Sequence, residues 1–193
     1  MSFLAVRFGV GLVCIHSLVL AADPGELGDM DRAKWAATST VGIPSLAGGV
    51  ISSAWGTAFN KPEEYGLHWD GFGKRYGLRL TGIATSNAME AGLGRFWGED
   101  PRYSRAAGQP LKSRIGNIVR MTFLARNADG STKPAYARYA AIPGSNFLSN
   151  TWRPDSEAEA TNALIRTSLG FLGRMASNTF AEFWPDVKSR IFK

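Results

Sequence analysis

The chain has 193 residues, with 22 Lys and Arg against 16 Asp and Glu for a formal net charge of +6, one cysteine and two histidines. That length suffices for one domain burying about 70% of its unfolded surface without metal or disulfide. So little cysteine and histidine excludes a disulfide framework, a Cys/His zinc site and most thiol or imidazole catalysis.

Residues 1–21 carry the features of a secretory signal peptide: one cation, Arg7, an apolar run from Phe8 to Leu20, and Ala21 before Ala22 as a small-residue cleavage site. The run falls short of the roughly 20 residues that span a bilayer. Cys14 follows Val13, where a lipoprotein signal needs a small residue, so lipidation is not expected. Cleavage leaves 172 residues, no cysteine and His68 as the one histidine. A Ser-His-Asp machine would have to use His68, and no G-x-S-x-G elbow supplies its serine.

Residues 22–40 are expected to form an acidic, flexible leader, and 41–193 a single all-α domain, a compact bundle of about five helices with at most one very short hairpin. From Trp35 to Asn60 there is no charged residue. Pro44 suits the first turn of a helix. Ser45, Gly49, Ser53 and Thr57 recur at steps of four, with Gly48, Ser52 and Gly56 as a second row, so residues 43–60 offer a surface on which a partner helix can approach closely. A buried or membrane-surface helix is expected there rather than a span.

Gly71, Gly73 and Gly77 of "GFGKRYG" lack the context of a dinucleotide or phosphate loop and are taken as turn and close-packing residues. A second helix is expected from about Lys74, with Leu80, Ile83, Ala84, Asn87, Ala91 and Gly94 on one face. Glu90 sits among apolar residues and needs a partner, since an unpaired buried charge is costly. A third helix starts at Pro110 and runs to about Arg126, presenting Leu111, Ile115, Ile118 and Thr122. Only Val119 to Arg126 has strand-like alternation, and Asp129-Gly130 centres the turn that follows. The fourth segment, "AYARYAAIPGSNFLSNTW", should break or kink at Pro143-Gly144, because a proline inside a helix costs roughly 3 kcal/mol.

The fifth helix opens on a capping box, Ser156 and Glu159. It carries an apolar stripe of Thr161, Leu164, Ile165, Leu169, Leu172, Met175, Ala176, Phe180 and Phe183. At steps of four, Asn162, Arg166, Gly170, Arg174, Asn178 and Glu182 form a polar ridge. Arg166 and Arg174, flanking Gly170, are the expected ion-pair partners of Glu90.

Three segments share one chemistry: "WGEDPRYSR" with Asp100, Pro101, Arg102 and Tyr103, "TWRPDSEAEA" with Trp152, Pro154 and Asp155, and "EFWPDVKSR" with Trp184, Pro185 and Asp186. Each is expected to be a corner after a helix, the tryptophan closing the last turn, the proline redirecting the chain and the aspartate capping. Repetition of one device favours corners over a single catalytic centre.

From Pro101 to Pro154 there are nine cations and one anion, Asp129. For an exported chain the anions to consider are lipid head groups and acidic envelope components rather than nucleic acid, or else carboxylates of neighbouring helices. The order "GFGKRYG", "NAMEAGLGRFWGEDPRYSR", "LSNTWRP" and "EFWPD", over about Asp70 to Val187, resembles an uncharacterised family of exported bacterial proteins of acidobacteria and related groups. The resemblance implies export and a shared fold, and no activity.

The expectation is therefore a non-enzymatic helical protein of the periplasm or outer envelope, without cofactor or metal, associating peripherally with anionic lipid or another envelope component. The alternative is a hydrolase using Glu90, Asp100 or His68 as acid or base, with arginines orienting an anionic substrate. It requires those three residues to share an open cleft.

Overall fold

In a computed structural model, which describes residues 27–191, the stretch from Asp29 to Ala58 folds as two helices, α1 (Asp29–Val41) and α2 (Ile43–Ala58), separated at Gly42. Gly42 is extended, and a Cβ there would lie 2.5 Å from the Thr38 carbonyl oxygen, so only glycine fits the corner. The expected signal peptide lies outside the described residues, together with Cys14. Part of the expected flexible leader is instead α1, because Arg32 is drawn into the protein: Nη1 donates to the Glu99 carbonyl at 2.8 Å and Nε to that of Leu27 at 3.2 Å.

The remaining helices are α3 (Trp69–Trp97), α4 (Leu111–Phe123), α5 (Tyr136–Leu148) and α6 (Ala160–Ile191). A small antiparallel sheet, β1 (Glu99–Asp100), β2 (Leu124–Asn127) and β3 (Thr132–Pro134), pairs Asp100 with Arg126 and Ala125 with Lys133. The protein is thus an all-α bundle with a minor hairpin.

α3 is the axis of the bundle. α1 and α2 run back along it: Asn87 Nδ2 donates to Thr40 Oγ1 at 3.0 Å, and Arg79 Nη1 to the Ser45 carbonyl at 3.0 Å. The small row of α2 meets α3 of the same chain, since a Cβ on Gly49 would come within 2.7 Å of the Tyr76 ring. Gly71, Gly73 and Gly77 are helical rather than turn residues. Gly71 is needed for packing, because a Cβ there would lie 2.3 Å from the Tyr65 carbonyl oxygen. α5 lies antiparallel to the far half of α3, with Ala137 beside Gly94 and Gly144 under Met89. α6 passes over α5 where Gly170 meets Ile142, and α4 packs antiparallel on its second half.

Four expectations change. α5 is not broken at Pro143, because Ala141, Ile142 and Ser145 around it are buried and packing outweighs the lost hydrogen bond. α4 ends at Phe123, and the segment expected as its last turn becomes β2. Ser156 lies in a short 3-10 turn, Asp155–Glu157, so the capping box does not form; the Ala163 N–H donates to the Glu159 carbonyl as α6 begins. Trp184, Pro185 and Asp186 are not a corner, since α6 runs through them to Ile191.

The interior is the opposite of an oil drop. Among the described residues the buried apolar side chains are mostly alanines, with Ile118, Met121 and Ile142 the larger ones. Buried beside them are Arg32, Arg75, Asn87, Glu90, Glu99, Arg138, Asn178 and Glu182. The stripe of α6 faces out, Leu164, Leu169 and Leu172 each being 58% exposed, whereas Glu182 on the ridge is fully buried. α2 and α4 do the same with Ile51, Trp55, Leu111 and Ile115.

Candidate functional site

Glu90 is 4% exposed and sits where α3, α5 and α6 meet. Its Oε1 accepts from Arg138 Nε at 2.9 Å and from Arg174 Nη2 at 2.7 Å. Arg138 Nη1 also donates to the carbonyls of Met121 and Thr122, both at 2.9 Å, which joins the end of α4 to the seam. Arg174 reaches the Pro101 carbonyl at 2.7 Å and lies over the Trp35 ring, its guanidinium carbon 5.1 Å from the centroid. One carboxylate and its two arginines thus tie six parts of the chain together.

Of the two expected partners of Glu90, Arg174 is correct and Arg166 is not. Arg166 donates to the carbonyls of Glu157, at 2.8 Å, and Asn146, at 3.2 Å, and to the side chain of Asn150, one end of α6 lower down. Arg138 takes its place because α5 runs closer to α3 than α6 does.

A second cluster closes the other end of α6. Glu182 Oε2 accepts from the Tyr103 hydroxyl at 2.7 Å and the Ala106 N–H at 3.0 Å, and Oε1 from Arg114 Nε at 2.6 Å. Asp186 accepts from Arg114 Nη2 at 2.6 Å and from Arg105. Pro185 has no N–H to give the Ala181 carbonyl, so it opens this turn, and the neighbouring Glu182 carbonyl accepts from both Arg105 and Arg114 at 2.7 Å. The two arginines hold the Asp186 carboxyl below its ordinary range. Burial, aided by the bond to Glu182, pushes the Tyr103 hydroxyl up to about 12.

Asp100 is bound by Arg102 through a fork at 2.7 to 3.1 Å and accepts the Arg102 backbone N–H at 2.9 Å. The corner after α3 therefore holds as a local ion pair, with Gly98 left-handed at the helix end. Pro101 is buried there. Trp152 and Pro154 lie half-buried, and Asp155 exposed, in the turns after α5. Next to Asp100, an open hollow of about 380 Å³ is bordered by Asp31, Arg102 and Arg126. Glu99, which sequence reasoning passed over, is the buried acid of the motif: its carboxylate accepts the Tyr136 N–H at 2.8 Å and the Ala137 N–H at 3.1 Å, capping α5.

His68, Glu90 and Asp100 do not converge. His68 is exposed at the start of α3, and Glu90 lies 22 residues along the same helix, about 33 Å away at 1.5 Å per residue. Asp100 is held by Arg102, and Glu90 is enclosed by two guanidiniums. Among the described residues no group of three His, Cys, Asp or Glu is placed to hold a metal ion.

The basic middle is largely paired. Arg102, Arg105, Arg114, Lys133, Arg138 and Arg153 each meet a carboxylate, which leaves Lys112, Arg120 and Arg126 without an ion pair among the described residues. Comparison with family models, with curated proteins and with solved structures returns no match for this chain.

Proposed function

We propose that this chain is a non-catalytic, lipid-facing protein of the cell envelope, an inverted helical bundle that keeps its polar groups inside and turns its large apolar side chains toward lipid. The observation that carries this reading is the direction of α6, with Leu164, Ile165, Leu169 and Leu172 outward and Arg174, Asn178 and Glu182 inward. In water such an arrangement exposes apolar surface on several helices at once, far beyond scattered single residues. In lipid it costs nothing, because acyl chains are as apolar as leucine.

The paired arginines alter the expected mode of attraction. With three cations left in the basic middle, anionic head groups are a secondary term, and apolar contact dominates. Enzymatic hydrolysis is not favoured, since its three candidate residues lie apart. The test is flotation of the full chain with neutral phosphatidylcholine vesicles after removal of detergent. The expected result is co-flotation that high salt does not reverse. A monodisperse protein that stays in the aqueous fractions, with or without anionic lipid, overturns the reading.

A further inference from the structure

We propose that the bundle crosses the hydrocarbon layer, with α3 and α6 as its long members, rather than lying along one surface; this rests on the lipid-facing reading above. Averaged over its whole circumference, no described helix is long and apolar enough to cross a membrane. In a bundle, however, lipid meets only the outward half of each helix, and the outward half is what carries the argument.

On α2, α3, α5 and the first half of α6, every charged side chain between the two ends points inward and is bound. On α3 between Lys74 and Arg95 these are Arg75, Arg79 and Glu90. Arg75 donates to the carbonyls of Lys61, Pro62 and Gly66 at 2.8 to 2.9 Å, and Arg79 to that of Ser45. α5 contributes Arg138, and α6 contributes Arg166 and Arg174, all with the partners described above. α2 has no charged residue. Exposed charges resume together at both ends, with Lys61, Glu63, Asp70, Lys74 and Glu159 at one and Asp29 and Arg95 at the other, where Asp31 and Lys34 of α1 follow within two turns. Charges that face the interior and bind one another or backbone carbonyls are the arrangement expected of ionised groups at membrane depth.

The dimensions agree with a bilayer. From Lys74 to Arg95, α3 rises about 31 Å, against a hydrocarbon core of about 30 Å. Trp69 and Trp97, at the two ends of α3, lie about 42 Å apart, against about 40 to 45 Å with head groups. Trp69 is 85% exposed beside Phe72, near the Trp55–Phe59 pair; Trp97 is paired with Tyr136 at the opposite end. Aromatic residues at both boundaries are the usual interfacial belt. α6 keeps the same register: Glu159 starts it near the Lys74 end, and the Arg174–Glu90 bond fixes its level, which sets Leu169 opposite the middle of the α3 interval.

The experiment places a single fluorescent label by Ala84→Cys or Leu169→Cys, both outward at mid-belt, or by Lys61→Cys or Ala128→Cys, exposed at the two ends, all in a Cys14→Ser background and reconstituted in phosphatidylcholine vesicles. Crossing predicts that a nitroxide deep in the acyl chain quenches the labels at 84 and 169 several-fold more than a head-group nitroxide does, while iodide present on both sides of the bilayer quenches those at 61 and 128. Alkaline carbonate should not release the protein. Quenching at 84 and 169 by head-group probes alone, in a protein that floats but is stripped by carbonate, overturns the crossing and leaves the lipid-facing reading intact. Labels shielded from every quencher in a protein that does not float overturn both, in favour of copies of the chain packing on one another.

Discussion

Two buried carboxylates, Glu90 and Glu182, are each held by arginine, yet they are built differently. Glu90 relies on two guanidiniums that share one oxygen, at the junction of three helices. Glu182 divides its bonds over both oxygens among a tyrosine, a backbone N–H and Arg114, and Arg114 keeps a second acid in Asp186. The first site concentrates its cost in a single carboxylate; the second spreads it, and one loss leaves the rest satisfied. A buried ion pair is weak evidence for net stability, but removing one partner is severe, because the other charge stays behind in the interior.

The largest effect is therefore expected from Glu90→Ala, which leaves Arg138 and Arg174 without a carboxylate. It should destabilise by about 3 to 5 kcal/mol, read by chemical denaturation in detergent. An unchanged midpoint would mean the seam does not hold the bundle. Glu182→Ala should cost less, about 2 kcal/mol, because Arg114 retains Asp186. A cost equal to that of Glu90→Ala would remove the contrast between the two sites.

The Tyr103 hydroxyl sharpens it further. Its pKa is raised in the folded protein to about 12 from an ordinary 10, so the neutral form is the favoured one. The stability this contributes is complete below pH 10 and is lost as pH rises through 12. Ultraviolet absorbance of tyrosinate should show a tyrosine titrating at about 12 that Tyr103→Phe removes, and an earlier titration in Glu182→Ala would tie part of the shift to that carboxylate. The smallest effect is expected at Asp100→Ala, whose partner Arg102 is about half exposed. A loss below about 1 kcal/mol in a thermal melt fits a surface pair, and a larger one would make this corner part of the core.

Much of the local structure was legible. The step-of-four ridge on α6, the small row on α2, and the need of Glu90 for an arginine all follow from spacing and from the cost of an unpaired charge. The identity of the second arginine was not legible, because Arg166 and Arg138 are equally good donors and only the closeness of α5 to α3 selects between them. Pro143 and Pro185 misled for a related reason: a proline's local cost is fixed, but the packing and side-chain bonds that outweigh it come from elsewhere in the chain. Glu99 was passed over because its role depends on an α5 N-terminus 37 residues away.

By itself the sequence determined that the chain is helical, that a turn falls at Asp129-Gly130, and that its helices are two-faced. It did not determine which face is inside. Periodicity specifies the angle between the polar and apolar sides of a helix and is indifferent to which side meets the neighbours. On α6 that choice was made by the tertiary structure: Glu90, Thr122, Tyr103 and Arg114 supply partners that only an inward ridge can reach, so Arg174, Asn178 and Glu182 turn in and Leu164, Leu169 and Leu172 turn out.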